Sequence, residues 1–144
     1  MPTTMQRLSL AFLTWRRFLQ KRIAPYNITL KQAFVLRQLA KTEFMYPSKI
    51  AVLLFCDRPT ATVILKNMER QGWISRERDP QNRKYTRIRI TERGREKQTE
   101  IEQGNTFQTV DPLACFDAQE GQELDRLLAK LNKHIRAIEK ENQK

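Results

Sequence analysis

Residues 48–95 read SKIAVLLFCDRPTATVILKNMERQGWISRERDPQNRKYTRIRITERGR, and the order of signals within them decides the fold. Ser48 is a candidate cap for a short helix carrying Ile50, Ala51, Leu53 and Leu54. Asp57 caps a second helix, because its carboxylate can accept from the free amides of the first turn. Pro59 is tolerated there, since those amides have no acceptor within the helix. Gly72 can close this helix in the left-handed conformation. Two strands follow, Trp73–Arg78 and Tyr85–Ile90; in the second, Thr86, Ile88 and Ile90 alternate with Arg87 and Arg89. Between them Asp79-Pro80-Gln81-Asn82-Arg83-Lys84 is a turn-rich, cationic loop.

Helix, turn, capped helix and hairpin, in that order, are the plan of a winged helix-turn-helix. On the capped helix, Ala61, Ile64, Leu65 and Met68 share one face. The opposite face holds Thr62, Val63, Lys66, Asn67 and Arg70, with Arg58, Pro59 and Thr60 near the N-terminus. Hydroxyl, methyl, amide and cationic groups of this kind suit base edges, thymine methyls and phosphates. Any surface helix shows a polar face. What points to DNA is the position of this one, behind a short helix and ahead of an arginine-tipped hairpin. Arg83 and Lys84 at the tip are placed to enter a minor groove or hold phosphates. For Arg87 and Arg89, solvation and protection of a sheet edge by charge serve equally well.

Working outward, Leu8, Ala11, Phe12, Trp15, Phe18 and Leu19 recur at helical spacing between Met5 and Ile23, widened by Leu10 and Leu13. So broad an apolar face on an end helix predicts burial on two sides. Pro25 stops this helix. Thr29 caps the next, in which Phe34, Leu36 and Leu39 supply the packing face and Lys31 and Arg37 stand free for phosphates. Thr91 caps a helix of weak amphipathicity, loosened near Gly104-Asn105. Asp117 with Glu120 forms a capping box for the last helix. There Leu124, Leu128, Leu131, Ile135 and Ile138 make a heptad seam. With Leu8 and Phe12, these residues are expected to join two copies of the chain, giving a particle near twice 17.1 kDa. Mutual burial within one chain explains part of the pattern.

The formal net charge is +11 over 144 residues, which makes an anionic partner the first to consider. Its distribution adds to that. Residues 1–42 hold eight Lys/Arg and no acid, residues 57–97 hold twelve bases against six acids, and residues 98–144 hold six against nine. A phosphate-facing side and a nearly balanced side would be patterned this way. No apolar run approaches the roughly 20 residues of a membrane span, and no secretory signal is apparent, so a cytoplasmic protein is expected. Cys56 and Cys115 make no disulfide framework. His134, the single histidine, has no ligand partners at metal spacing, so no metal or other cofactor is expected. Ser–His–carboxylate sets and glycine-rich phosphate loops are absent from the sequence, which argues against an enzyme.

The segments Ile28-Thr29-Leu30-Lys31-Gln32-Ala33-Phe34-Val35-Leu36, Ile50-Ala51, Arg58-Pro59-Thr60-Ala61-Thr62, Gly72-Trp73-Ile74-Ser75-Arg76, Asp79-Pro80-Gln81-Asn82-Arg83-Lys84 and Thr91-Glu92-Arg93-Gly94-Arg95 follow one another without a large insertion. As a set they resemble the MarR family of bacterial transcription regulators. The resemblance implies a homodimer with interlocked terminal helices and a winged lobe on each protomer. It also implies a palindromic operator, usually repressed, and relief by a small aromatic ligand or by thiol oxidation. The family's ligand pocket lies between the dimer helices and the DNA lobe, where Trp15, Phe18, Tyr26 and Phe34 could line it; aromatic residues at helical spacing also read as plain core. Cys56 stands at an aliphatic position and reads as buried and inert. Two departures stand out. Asn82 occupies the place of an acidic wing residue, which would replace an Asp–Arg brace, with Arg76 as its other half, by a weaker neutral bond. Phe55 and Cys56 stand where the turn ahead of the capped helix usually has a glycine and an aliphatic residue.

The expected protein is thus one domain over 1–144, mainly α with a small β-hairpin wing. A winged helix-turn-helix lobe spans 29–95, with dimerisation helices at 5–23 and 96–141. Its partner is double-stranded DNA, read as a homodimer. Thr60, Thr62, Val63, Lys66 and Asn67 read or flank bases, Arg58, Arg70, Lys31 and Arg37 hold phosphates, and Arg83 and Lys84 enter the minor groove. The alternative is a sequence-neutral architectural protein held to nucleic acid by charge alone, which would have no need of the mixed Thr/Asn/Val face.

Overall fold

In the computed structural model, residues 1–104 and 110–143 are described. The chain divides into two units, Met1–Thr109 and Val110–Lys144. The first holds α1 (Thr4–Ile23), a 3₁₀ turn at Ala24–Tyr26, α2 (Leu30–Leu39), α3 (Pro47–Leu53), α4 (Arg58–Arg70), β1 (Ile74–Arg78), β2 (Thr86–Ile90) and α5 (Glu92–Gln103). The second holds α6 (Ala118–Asn142). The expected mainly helical chain with a hairpin wing is what folds.

Several helix ends are set by the residues that the sequence marks. Asp57 accepts from the Thr60 amide at 2.7 Å, and Thr91 from the Gly94 amide at 3.0 Å. Thr29 and Gln32 exchange both bonds of a capping box, as do Asp117 and Glu120. Gly72 (φ 76°) closes α4: its own amide donates to Glu69 and the Trp73 amide to Met68, the paired bonds of a left-handed helix stop. The expected break near Gly104-Asn105 falls partly outside the described residues; α5 ends at Gln103 with Gly104 as its cap.

Two helix starts differ from expectation. Ser48 does not cap α3. Tyr46 does, without a side-chain bond, because Pro47 occupies the first helical position and its fixed φ starts the helix one residue earlier. The start of α1 has its own capping box, Thr3 with Gln6, which places it at Thr4. After Pro25 the chain turns through Asn27 in the left-handed conformation (φ 52°).

The core is built by α2, α3, α4, β2 and α5. Its largest fully buried side chains are Leu36, Leu39, Ile50, Leu65, Met68, Ile88 and Ile101. Each contributes about 1.5–3 kcal/mol by leaving water. On α4 the expected inner face is the observed one, with Ala61, Leu65 and Met68 buried and Ile64 half-buried. On α2 it is rotated: Ala33, Val35, Leu36 and Leu39 are buried, whereas Phe34, expected in the packing face, is 38% exposed.

The hairpin pairs Ile74 with Ile90 and Arg78 with Thr86 at its two ends. Both strands begin one residue later than expected. Beyond β2 the sheet gains a single bridge from the segment ahead of α3. The Met45 amide donates to the Ile88 carbonyl at 2.9 Å, and the Ile88 amide to that of Met45 at 2.8 Å. Two buried residues thereby fasten the helix-turn-helix to the wing through backbone bonds. On α6, described by itself, Leu124 and Leu131 are half-buried and Leu128, Ile135 and Ile138 are exposed.

Candidate nucleic-acid interface

The turn between α3 and α4 is the first thing that positions the site. Phe55 adopts a left-handed conformation (φ 50°). Its amide donates to Val52 and that of Cys56 to Ala51, the same paired stop that glycine makes after α4. A side chain in this conformation costs about 1–2 kcal/mol, and its ring regains little by burial, being 84% exposed. The turn therefore keeps the usual geometry with an unusual residue. Cys56 is half-buried and packs against the core.

From this turn α4 projects Arg58, Thr60, Thr62, Val63, Lys66 and Arg70 into solvent, with Asn67 half-buried. Asp57 anchors the start. Hydrogen bonds from the Thr60 hydroxyl and then its amide hold the Asp57 carboxyl below its ordinary range, and the charge of Lys31 adds to this. The Thr62 hydroxyl donates to the Arg58 carbonyl at 2.9 Å, leaving its oxygen lone pairs and methyl outward. Arg83 and Lys84 are exposed at the wing tip.

A cleft of about 240 Å³ separates α4 from the wing, and Arg58, Thr62 and Lys84 meet there with Tyr46, Ser48 and Tyr85. The last three were missed by the sequence reading, since nothing local announces that the residues ahead of α3 face the hairpin. Lys31 and Arg37 lie elsewhere. They line a second cavity of about 450 Å³ with Trp15, Leu19, Leu30, Phe34, Phe55 and Gln98. Two of the four aromatic residues expected in a ligand pocket, Trp15 and Phe34, line this cavity. Phe18 instead stacks on Trp15 at 5.4 Å, and Tyr26 packs against the core.

The wing root corrects the expectation of a weakened brace. Asp79, only 3% exposed, accepts from the Tyr46 hydroxyl at 2.5 Å, the Gln81 amide at 2.9 Å and Arg87 Nη2 at 3.0 Å. These donors, the Tyr46 hydroxyl first, hold its carboxyl down at about 2. An acid–arginine brace is thus present, three residues before Asn82 and made with Arg87. Arg76 pairs with Glu69 of α4 at 2.8 Å, and Asn82 accepts from the Lys84 amide at 3.2 Å. Arg87 and Arg89 are not a solvated outer face either. The Arg87 guanidinium lies 4.2 Å from the Phe44 ring centre, and Arg89 pairs with Glu77 at 2.5 Å and Glu43 at 3.5 Å. Phe44 and Glu43 cover that side of β2.

This arrangement has relatives. Residues 28–86 match the model of the MarR family. The chain carries a MarR-family domain. Over 109 residues it is 27% identical to YybA of Bacillus subtilis, named an uncharacterized HTH-type transcriptional regulator, covering 76% of this chain and 73% of that one. Some of the other curated relatives match over only about half of their own length. Among solved structures, the transcriptional regulator SlyA superposes with a TM-score of 0.74 at 26% identity, over 92% of this chain and 94% of that one. A transcriptional repressor, CouR, bound to a 23-mer DNA duplex gives 0.75 at 22%, over 90% and 92%. The resemblance read from the quoted segments is therefore borne out, and the MarR-type lobe is that of a transcriptional regulator and not of an enzyme. No described helix is long and apolar enough to cross a membrane.

Proposed function

We propose that the protein is a DNA-binding transcriptional regulator that reads a palindromic operator as a homodimer and represses from it. The observation that carries this is α4: a helix anchored on Leu65 and Met68 that turns Thr60, Thr62, Val63, Lys66 and Arg70 outward beside a cationic wing tip. That geometry suits a major-groove helix with a wing on the adjoining backbone or minor groove. Arg58, Thr62 and Lys84, gathered in one cleft, suit a phosphate between the two. The repressor CouR, solved on DNA, has this fold.

The 29–95 lobe would do the reading, and helices from 5–23 and 96–141 would join two copies. Support for the dimer comes from apolar surface on α1, where Leu10, Phe12 and Leu13 are exposed, and on α6, where no residue is buried. Relief by a small aromatic acid is in keeping with the 450 Å³ cavity, whose wall joins Trp15, Phe34 and Phe55 to the cations Lys31 and Arg37. A cytoplasmic location follows from this role.

The test is a selection from random duplexes at about 150 mM salt, where unspecific electrostatic binding is suppressed. An enriched inverted repeat with half-sites about 10–10.5 base pairs apart supports the reading. A pool that stays random, yet binds at low salt, replaces it with an architectural protein held by its +11 charge.

A further inference from the structure

The cluster at the wing root ties the segment ahead of α3 to the hairpin, 33 residues further along the chain. Tyr46 immediately precedes α3, Asp79 opens the wing loop, and Arg87 stands on β2. Their hydrogen bonds at 2.5 and 3.0 Å converge on one buried carboxylate. Among the described residues Arg87 Nε has no hydrogen-bond acceptor, and the Phe44 ring beneath the guanidinium supplies its compensation. Such a cluster forms only when hairpin and helix-turn-helix hold one mutual arrangement. A buried carboxylate without its donors is strongly disfavoured, which makes other arrangements costly.

From this buckle the loop runs straight to the tip. The Asp79 amide donates to the Tyr85 carbonyl at 3.0 Å, and the Tyr85 amide to that of Asn82 at 2.9 Å. Arg83 and Lys84 sit between those bonds. A hairpin of two five-residue strands has little stability of its own. The direction of its tip is therefore set by what holds its root. We propose that Tyr46 and Asp79 are positioning residues that fix the wing against α3 and so determine how much Arg83 and Lys84 contribute to DNA binding. This rests on the DNA-binding reading above, and it assigns a binding role to the buried Asp79 and to Tyr46, which lines the cleft beside Lys84 but gives its hydroxyl hydrogen to Asp79. Cations held in place bind phosphates better than cations that must be ordered on contact.

The test is a double-mutant cycle on the full chain. Tyr46→Phe is combined with the pair Arg83→Ala and Lys84→Ala, and affinity is measured for the duplex that the selection enriches, or for a mixed-sequence duplex if none is enriched. Hydrogen exchange of the Asp79 and Tyr85 amides is followed in parallel. Tyr46→Phe removes one donor and leaves Arg87 and Gln81 on Asp79, so the fold should persist. The expected result is a loss of about fivefold in affinity that shrinks below about twofold once the tip cations are gone, together with faster exchange at Asp79 and Tyr85 and unchanged exchange in α4. A purely structural role would instead give equal losses in both backgrounds, and equal losses overturn the proposal. So does unchanged exchange in the wing. Asp79→Asn, which can still accept from Tyr46, should recover more of the coupling than Asp79→Ala. A parent chain that binds no duplex overturns the regulator reading and this one together, whereas intact parent binding without coupling overturns only this one.

Discussion

Gly94 offers the sharpest check on the packing of the lobe. A Cβ built there would lie 2.1 Å from the Trp73 carbonyl oxygen and 2.8 Å from Ile90 Cγ1. Gly94 is helical, so the objection to a side chain is space and not conformation. The neighbour cannot swing aside, because it is backbone: the Trp73 carbonyl accepts from the Thr91 amide at 3.0 Å, and the Thr91 hydroxyl donates to the Gly72 carbonyl at 2.5 Å. Gly94→Ala must therefore push the first turn of α5 off the hairpin by about an ångström, against overpacking costs of about 1–3 kcal/mol. Strain on the Thr91 bonds adds about 1 kcal/mol, and alanine's better helix propensity returns about 1 kcal/mol. The net expectation is a loss of about 2 kcal/mol. Gly121 in α6 is the matched control, since a Cβ there meets none of the described residues within 4 Å. Gly121→Ala should gain about 0.5–1 kcal/mol. Urea unfolding followed by circular dichroism at one fixed protein concentration measures both. A Gly94→Ala protein as stable as its parent would refute the packing argument, as would a Gly121→Ala protein that loses more.

Phe55→Gly should stabilise the protein by up to about 1 kcal/mol by removing the side chain from a left-handed turn; a clear loss in the same urea assay would mean that the exposed ring contributes packing. The Asp79 brace predicts a stability plateau with acid and alkaline limits. A carboxyl lowered from 3.8 to about 2 in the folded state stabilises above pH 3.8, and that contribution fades as pH falls toward about 2. Tyr46, raised above 10.0 chiefly by its bond to Asp79, stabilises below pH 10 and loses its contribution above that. In Tyr46→Phe the alkaline limb should flatten, as urea midpoints across pH would record. On DNA, Lys66→Ala should weaken all sequences alike and reduce the salt slope by about one unit, whereas Thr62→Ala should relax preference at one base position. Binding isotherms on operator and scrambled duplexes at several salt concentrations separate the two.

What was legible in the chain is what is written locally. Asp57, Gly72, Thr91 and the Asp117–Glu120 box act within three residues of themselves, so their signals and their structures coincide. The inner face of α4 follows from its period in the same way. What escaped depends on contacts across long separations. Asp79, next to Pro80, reads as a turn former, and its main partner Tyr46 lies 33 residues earlier. Arg87 and Arg89 alternate outward by the period of a strand, but that face is covered by Glu43 and Phe44 from another segment. Lys31 and Arg37 are exposed cations in either reading. Their position on the wall of a cavity depends on α1 and α5 as much as on α2. Ser48 is outcompeted by a proline one residue away.

The bridge between Met45 and Ile88 has a mechanical consequence. With two backbone bonds from β2 to the segment ahead of α3, and the Asp79 cluster beside them, the helix-turn-helix and the wing have little room to bend against each other. The lobe is then a lever and not a spring. The chain leaves it toward α1 through the short 3₁₀ turn that ends at Asn27. A signal arriving from that direction would tilt α4 and the wing tip together as one body, so that groove helix and wing engage or release a duplex in a single step.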